Sequence, residues 1–239
     1  MTGNPSSTRA RPRRVWVGDL LGLLWVVAAA GAVLTPALAH GASLGPFDWL
    51  SAYGLSAQHG VAIHNRQSFD QITEMIPWTS LAWTQVHHGQ LPLWNPYSAL
   101  GTPLAFNWQA ATFSLPALVG YLFPLHLAYT VQVVVTLVVA GTGTYVLCRL
   151  LGLGVLGCTM GATIFELSGS FFGWLGWPMA SVLSWAGWLF AAALLIVRGR
   201  RHWRPIAFFA LIVAMAIYAG QPDAWRGGRP RTLRAPWRP

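Results

Sequence analysis

The sequence predicts an all-α, polytopic transmembrane helix bundle of about five spans, each near the roughly 20 apolar residues a bilayer requires, with one large outer loop carrying amphipathic helices. Three observations predict it. The 239 residues are 54% hydrophobic and only 9% charged, too few charges for a water-facing surface, since soluble domains carry roughly 25%. The apolar residues gather in runs long enough to cross lipid. The arginines stand beside those runs rather than within them, as cytoplasmic flanks do.

Residues 1–14 form a basic tail with Arg9, Arg11, Arg13 and Arg14, expected in the cytoplasm. Residues 15–39 hold the first transmembrane helix, apolar over 20–38. A cleaved signal peptide is the rival reading, because Ala37-Leu38-Ala39 fits a small-residue cleavage site. The apolar run exceeds the roughly 7–15 residues of a signal core, which favours an uncleaved anchor. On either reading the next segment is exported.

Residues 40–125 form the outer loop, rich in Gly, Pro, Asn and His. Within it, 110–123 is apolar but interrupted by Pro116, and its length of about 14 residues suits a re-entrant or interfacial segment. Counting it as a span would also put the later arginines outside. Residues 126–220 form a four-helix transmembrane region, apolar over 127–147, 153–172, 179–197 and 205–220, the last being short. With the amino terminus inside, alternation places Arg149, Arg198, Arg200, Arg201 and Arg204 inside as well. The net charge of +9 therefore encodes topology and gives no nucleic-acid footprint; membrane lipids are the expected partner. Residues 221–239 break the pattern, with Arg226, Arg229, Arg231, Arg234 and Arg238 set among Pro and Gly. This atypical tail is expected to be a disordered basic end or a truncated, frame-shifted one.

Cys148 and Cys158 lie in or beside apolar segments without metal-ligand spacing and are read as inert. Gly157 and Gly161 form a small-xxx-small pair, read as helix packing. The six acids are more telling. Asp48, Asp70, Glu74 and Asp223 fall on the outer face, Glu166 in the outer half of the third span, and Asp19 near the inner side. Acids on one face can bind a cation, activate a hydroxyl or orient a polar substrate; export that keeps basic residues inside also leaves acids outside by default.

Ser68-Phe69-Asp70-Gln71 has the spacing of a capping box, so a helix is expected to begin there. Ile72, Met75 or Ile76, Thr79, Trp83 and Val86 follow at helical spacing, Pro77 is expected to kink or split the helix, and Gly89 to end it. The result is an amphipathic helix expected on the outer leaflet. Asp70 and Glu74, four apart, share a face and could meet one ligand, or they simply complement the helix dipole. After Gly89, Trp94, Asn95, Tyr97, Asn107, Trp108 and Gln109 set aromatic faces beside amides among fixed prolines, a surface suited to stacking and hydrogen-bonding a sugar ring. An interfacial aromatic belt would explain the Trp and Tyr but not the amides. Glu166 lies inside a span, where an exposed charge costs roughly 2.5–3.5 kcal/mol, and is a functional candidate or a satisfied acid.

At Asp70-Gln71, Pro77-Trp78, Gly89-Gln90-Leu91-Pro92-Leu93-Trp94-Asn95-Pro96-Tyr97 and Gly101-Thr102-Pro103 the chain resembles the bacterial YfhO-like membrane protein family. Gly220-Gln221-Pro222-Asp223 resembles a further element of that family, with Asp223 in place of its usual glutamate. The family is similar to C-type glycosyltransferases, multi-span enzymes that take sugar from polyprenyl phosphate and carry an essential acid in the first outer loop. The resemblance implies a bacterial plasma (inner) membrane location, a polyprenyl-phosphate sugar as partner, and Asp70 as the catalytic residue, a general base or acceptor for the attacking hydroxyl. Glu74, Asp48, Glu166 and Asp223 are supporting acids. His64 or Arg66 would offset phosphate charge by proximity, and Trp94, Asn95, Tyr97, Asn107 and Gln109 would line the sugar site. No metal ligand set and no cofactor is assigned, and a divalent metal is left open. Family members are longer, so the chain is expected to be an amino-terminal part of such an enzyme, whose activity alone is open. The alternatives are a non-catalytic or truncated membrane protein, or a component transporting lipid-linked sugars.

Overall fold

The computed structural model describes residues 13–39, 43–54, 57–199 and 203–221. The calls on residues 1–12, on Arg200 and Arg201, and on Asp223 and the tail lie outside these residues. The described chain is all-α apart from one two-residue strand pair, and four helical stretches are long and apolar enough to cross a membrane: Trp16–Val33, Leu125–Leu150, Val155–Gly173 and Pro178–Arg198. This is the make-up of a multi-pass membrane protein. A fifth apolar helix, Trp203–Tyr218, is shorter, as its sequence predicts.

In chain order, α1 (Arg13–Val33) and the short α2 (Thr35–Ala39) lead into the loop, where α3 spans Asp48–Tyr53 and α4 Ile76–His87. Strands β1 (Trp94–Asn95) and β2 (Thr102–Pro103) pair antiparallel, with Trp94 opposite Pro103 and Asn95 opposite Thr102. α5 (Leu115–Gly120) precedes the central helix α6 (Leu125–Leu150). The second half is made of broken helices: α7 (Val155–Glu166) continues as α8 (Gly169–Gly173), α9 (Pro178–Ser184) as α10 (Ala186–Arg198), and α11 (Trp203–Tyr218) closes the bundle. α7 stops at Leu167, and the Ser168 hydroxyl restarts the chain by accepting from the Phe171 N–H at 3.3 Å.

α6 is the hub, packed by α1, α5, α7, α9 and α10. Close approach depends on glycine, but not on the pair expected. A Cβ on Gly187 would stand 2.5 Å from the Gly143 carbonyl carbon, so α6 and α10 meet backbone to backbone, as tight helix pairs in lipid do. A Cβ on Gly22 of α1 would likewise stand 2.7 Å from the Thr159 hydroxyl of α7. A Cβ on Gly157, by contrast, would meet only Leu153 just before α7, and one on Gly161 would stand 3.4 Å from Cys148 Sγ of α6. Their spacing matches a packing motif, and Gly161 faces α6, but at neither position does the approach require glycine.

The basic helix ends converge. Arg149, near the end of α6, pairs through Nε with Asp19 near the start of α1 at 2.7 Å, and its guanidinium also donates to Leu153 O at 2.7 Å. Tyr145 Oη donates to the same Asp19 at 2.8 Å. Arg198, at the end of α10, donates to Leu150 O, and Gly199 lies against Pro205 at the start of α11. The described arginines of the spans thus share one end of the bundle, as alternation predicts, and the loop covers the other end, where Leu44 N donates to Thr130 Oγ1 in the first turns of α6.

The loop helix differs from its sequence reading. The capping box does not form: the Asn65 side chain accepts from Gln67 N at 3.0 Å to cap a 3-10 turn over Arg66–Ser68, and Ser68 is buried. A π-helical turn over Gln71–Met75 follows and passes into α4 with Pro77 in its first turn. Pro77 has no N–H to donate back to the preceding turn, and the ladder changes spacing there. The buried stripe Ile72, Met75, Thr79 and Ala82 faces the protein: Met75 packs with Tyr129 and Val133 of α6, and Ala82 with Leu104, Ala117 and Tyr121. The 110–123 segment is no span. Ser114 caps α5 by accepting from Ala117 N, and α5 lies along α6 with Gly120 against Gln132.

Candidate functional site

Two cavities with polar lining residues open at the end that the loop covers. The larger, about 550 Å³, has a polar wall of Asp48, His64, Asn65 and Gln71 and an apolar wall that includes Leu34 from the end of α1 and Phe172 from α8. Asp48 is its anchor. Its Oδ2 accepts from the His64 backbone N–H at 2.8 Å and lies 3.3 Å from His64 Nδ1, while Oδ1 accepts from Trp49 N at 3.0 Å. The His64 backbone N–H is the chief reason the Asp48 carboxyl lies below its ordinary range; burial pulls the other way, and the His64 ring and Trp49 N–H add to the lowering. The His64 ring is otherwise open to solvent, its side chain 87% exposed. Gln71, expected to return to its own helix, instead donates from Nε2 to Leu175 O at 3.0 Å and ties the loop to the bundle.

Asp70 stands on the chain between the cavity-lining Ser68 and Gln71, at the start of the π turn. It is exposed and, among the described residues, has no hydrogen-bond or ion-pair partner; the same holds for the Arg66 side chain. Both are free to meet a ligand at the rim.

The smaller cavity, about 360 Å³, gathers Glu74, Trp78, Asn95, Ser98, Thr102 and Asn107. Three residues singled out in the sequence therefore meet there, Glu74, Asn95 and Asn107, while Asp70 does not line it. The two amides are partly committed. Asn95 is buried, accepts from Tyr97 N at 2.9 Å and donates to Ser98 Oγ at 3.0 Å, so it holds the hairpin turn. Asn107 Oδ1 accepts from Gln109 N at 3.1 Å. The Trp94 indole lies against Gly101, where φ is +105° and a Cβ would come within 2.7 Å of the ring. Tyr97 projects from the hairpin tip, and Gln109 lines a small cavity of about 40 Å³ beside Gln132 and Tyr129.

Glu166 is apart from both cavities. It is 0% exposed at the end of α7, and neither carboxyl oxygen has a hydrogen-bond partner among the described residues. Its Oε2 occupies the place a Cβ on Gly141 would take, 1.9 Å from that position. Among the described residues no three His, Cys, Asp or Glu side chains converge as a metal site.

The residues missed in the sequence are Asn65, Ser68 and Gln71, which complete the polar wall. The polar run His64-Asn65-Arg66-Gln67-Ser68 was the available signal; the Asp48 to His64 closure that turns it inward was not visible. Comparison of the chain with protein-family models, with curated proteins and with solved structures gives no match.

Proposed function

We propose that the chain is a multi-pass protein of the bacterial inner membrane, its amino terminus cytoplasmic, carrying the outer-face acid of a glycosyltransferase that uses a polyprenyl-phosphate-linked sugar. The orientation follows from the shared arginine end, which the positive-inside rule assigns to the cytoplasm. The reading of the reaction rests on the sequence resemblance. The observation that supports it is the larger cavity, whose polar wall and apolar wall suit a ligand with a charged head and a hydrocarbon tail.

In this reading Asp70 accepts the proton of the acceptor hydroxyl as that oxygen bonds to the anomeric carbon. The bond from that carbon to the phosphate oxygen breaks, and polyprenyl phosphate leaves with the electron pair. Arg66 or His64 offsets the phosphate charge at the rim. The competing reading, transport of the lipid-linked sugar, needs a polar path through the bundle. It is less well supported, because Glu166, the acid at the end of α7, is sealed from every surface.

The test is sugar transfer from polyprenyl phosphate in membranes holding a longer relative that shares the Leu-Pro-Leu-Trp-Asn-Pro-Tyr run. Replacing the equivalent of Asp70 by alanine is expected to lower turnover by about 10²-fold or more, the contribution of a general base. Undiminished transfer removes Asp70 from the mechanism.

A further inference from the structure

The segment 89–125 contains no Asp, Glu, Lys, Arg or His, yet its only helix is the six-residue α5. It cannot span a bilayer and has no charge with which to face water. It also leaves large apolar side chains uncovered: Tyr97 is 85% exposed, Phe106 80%, Leu122 81%, and Leu100 fully so. Exposed apolar surface on this scale marks a place where something other than water is met.

We propose that the hairpin tip over residues 96–101, with Phe106 and Leu122, is seated in the interfacial layer of the lipid leaflet at the loop-covered end of the bundle. Three observations choose lipid as the occupant. First, the surface continues the apolar outside of the bundle: Leu93, Phe106 and Trp108 share an apolar slot with Ile217 and Tyr218 at the end of α11. Second, the tip hides its own polar groups, as residence near hydrocarbon requires. Asn95 takes the Tyr97 N–H and gives its amide to Ser98, and Gly101 N donates to Ser98 O at 2.8 Å. Third, Ala99 and Leu100 hold φ of +45° and +66°, a left-handed conformation that a water-facing turn would give to Gly or Asn. Here the strained position carries a leucine and points it away from the protein. The tip joins α4 through Gln85 Nε2, which donates to Trp94 O at 2.7 Å, so seating the hairpin would also fix the height of the adjoining cavities above the leaflet.

The inference rests on the bundle spanning a bilayer and not on the transfer reaction. Its test is collision of a nitroxide with oxygen and with a water-soluble nickel chelate, in the full chain reconstituted in vesicles of phosphatidylethanolamine and phosphatidylglycerol. Labels go at Leu100→Cys and Tyr97→Cys, both exposed so that folding is kept, with His59→Cys as an outer-loop reference and Leu24→Cys on the exposed face of α1 as a lipid reference; Cys148 is replaced by alanine throughout. Oxygen is expected to dominate at 97 and 100 severalfold more than at 59, approaching the value at 24. A nickel-dominated signal at 97 and 100 with an oxygen-dominated one at 24 overturns the inference and leaves the membrane reading standing. Low collision with both reagents at 97 and 100 also overturns it, in favour of a second copy of the chain or another protein. A nickel-dominated signal at 24 overturns both readings together.

Discussion

Gly141→Ala is the substitution with the clearest expected effect. Inside a helix such a change normally helps, by about 1 kcal/mol, because alanine is the better helix former. At this position the new methyl would stand 1.9 Å from Glu166 Oε2 and 2.5 Å from Val26 Cγ1, so the buried Glu166 and Val26 side chains must both shift. Overpacking of this kind costs about 1–3 kcal/mol, and the net expectation is a destabilisation of up to about 2 kcal/mol. Glu166→Met provides the converse. It keeps the volume, removes a carboxyl that has no partner among the described residues, and is expected to stabilise by about 1–3 kcal/mol, the range for an unsatisfied buried polar group. The two substitutions share one contact, so their effects will not add; a coupling of at least about 0.5 kcal/mol is expected. The assay is reversible unfolding of the purified chain in mixed micelles on titration with denaturing detergent, for both single variants and the double. A neutral or stabilising Gly141→Ala would refute the packing argument. A Glu166→Met variant that loses stability would show that the carboxyl has a partner and that its burial is favourable.

Two further predictions concern the loop. The Asp48 carboxyl lies below its unfolded value of about 3.9, so its stabilising contribution is complete above that pH and is lost as pH falls through the lower, folded value. Protection from hydrogen exchange at His64 N and Trp49 N, taken relative to the intrinsic rate at each pH, is expected to fall across that acid window in the wild type, and Asp48→Asn to remove the step; an unchanged acid profile in the variant would assign the step elsewhere. Asn95→Ala deletes two hydrogen bonds of the hairpin turn, each contributing about 1 kcal/mol, and is expected to speed proteolysis at residues 96–101 while leaving the bundle intact. Wild-type resistance in the variant would mean that the strand pairing alone holds the turn.

How much of the site could be read in advance depends on how far apart its parts lie. The gathering of Asp48, Asp70 and Glu74 on the loop side was legible, because it needs only the order of apolar runs along the chain. The division of Glu74 from Asp70 between one cavity and the rim of another was not. It follows from Gln71 reaching a carbonyl 104 residues away and from Asp48 closing on His64 across 16 residues. The capping box failed for a related reason: Ser68 is buried and Gln71 is drawn to the bundle, so Asn65 supplies the cap instead.

By itself the sequence determined which stretches are long and apolar enough to cross lipid, which of their ends carry arginine, and that the apolar patch 110–123 is too short to span. These are properties of each residue toward its solvent, and they sum along the chain without knowledge of any partner. Only the tertiary structure decided that Glu166 faces Gly141, that Arg149 pairs with Asp19 across 130 positions, and that Asn95 spends its amide on its own turn. Those outcomes depend on the rotation of each helix about its axis. That rotation is set by how the glycine notches at positions 22, 141, 143 and 187 let neighbouring helices close, a fit between surfaces that no single stretch of sequence contains.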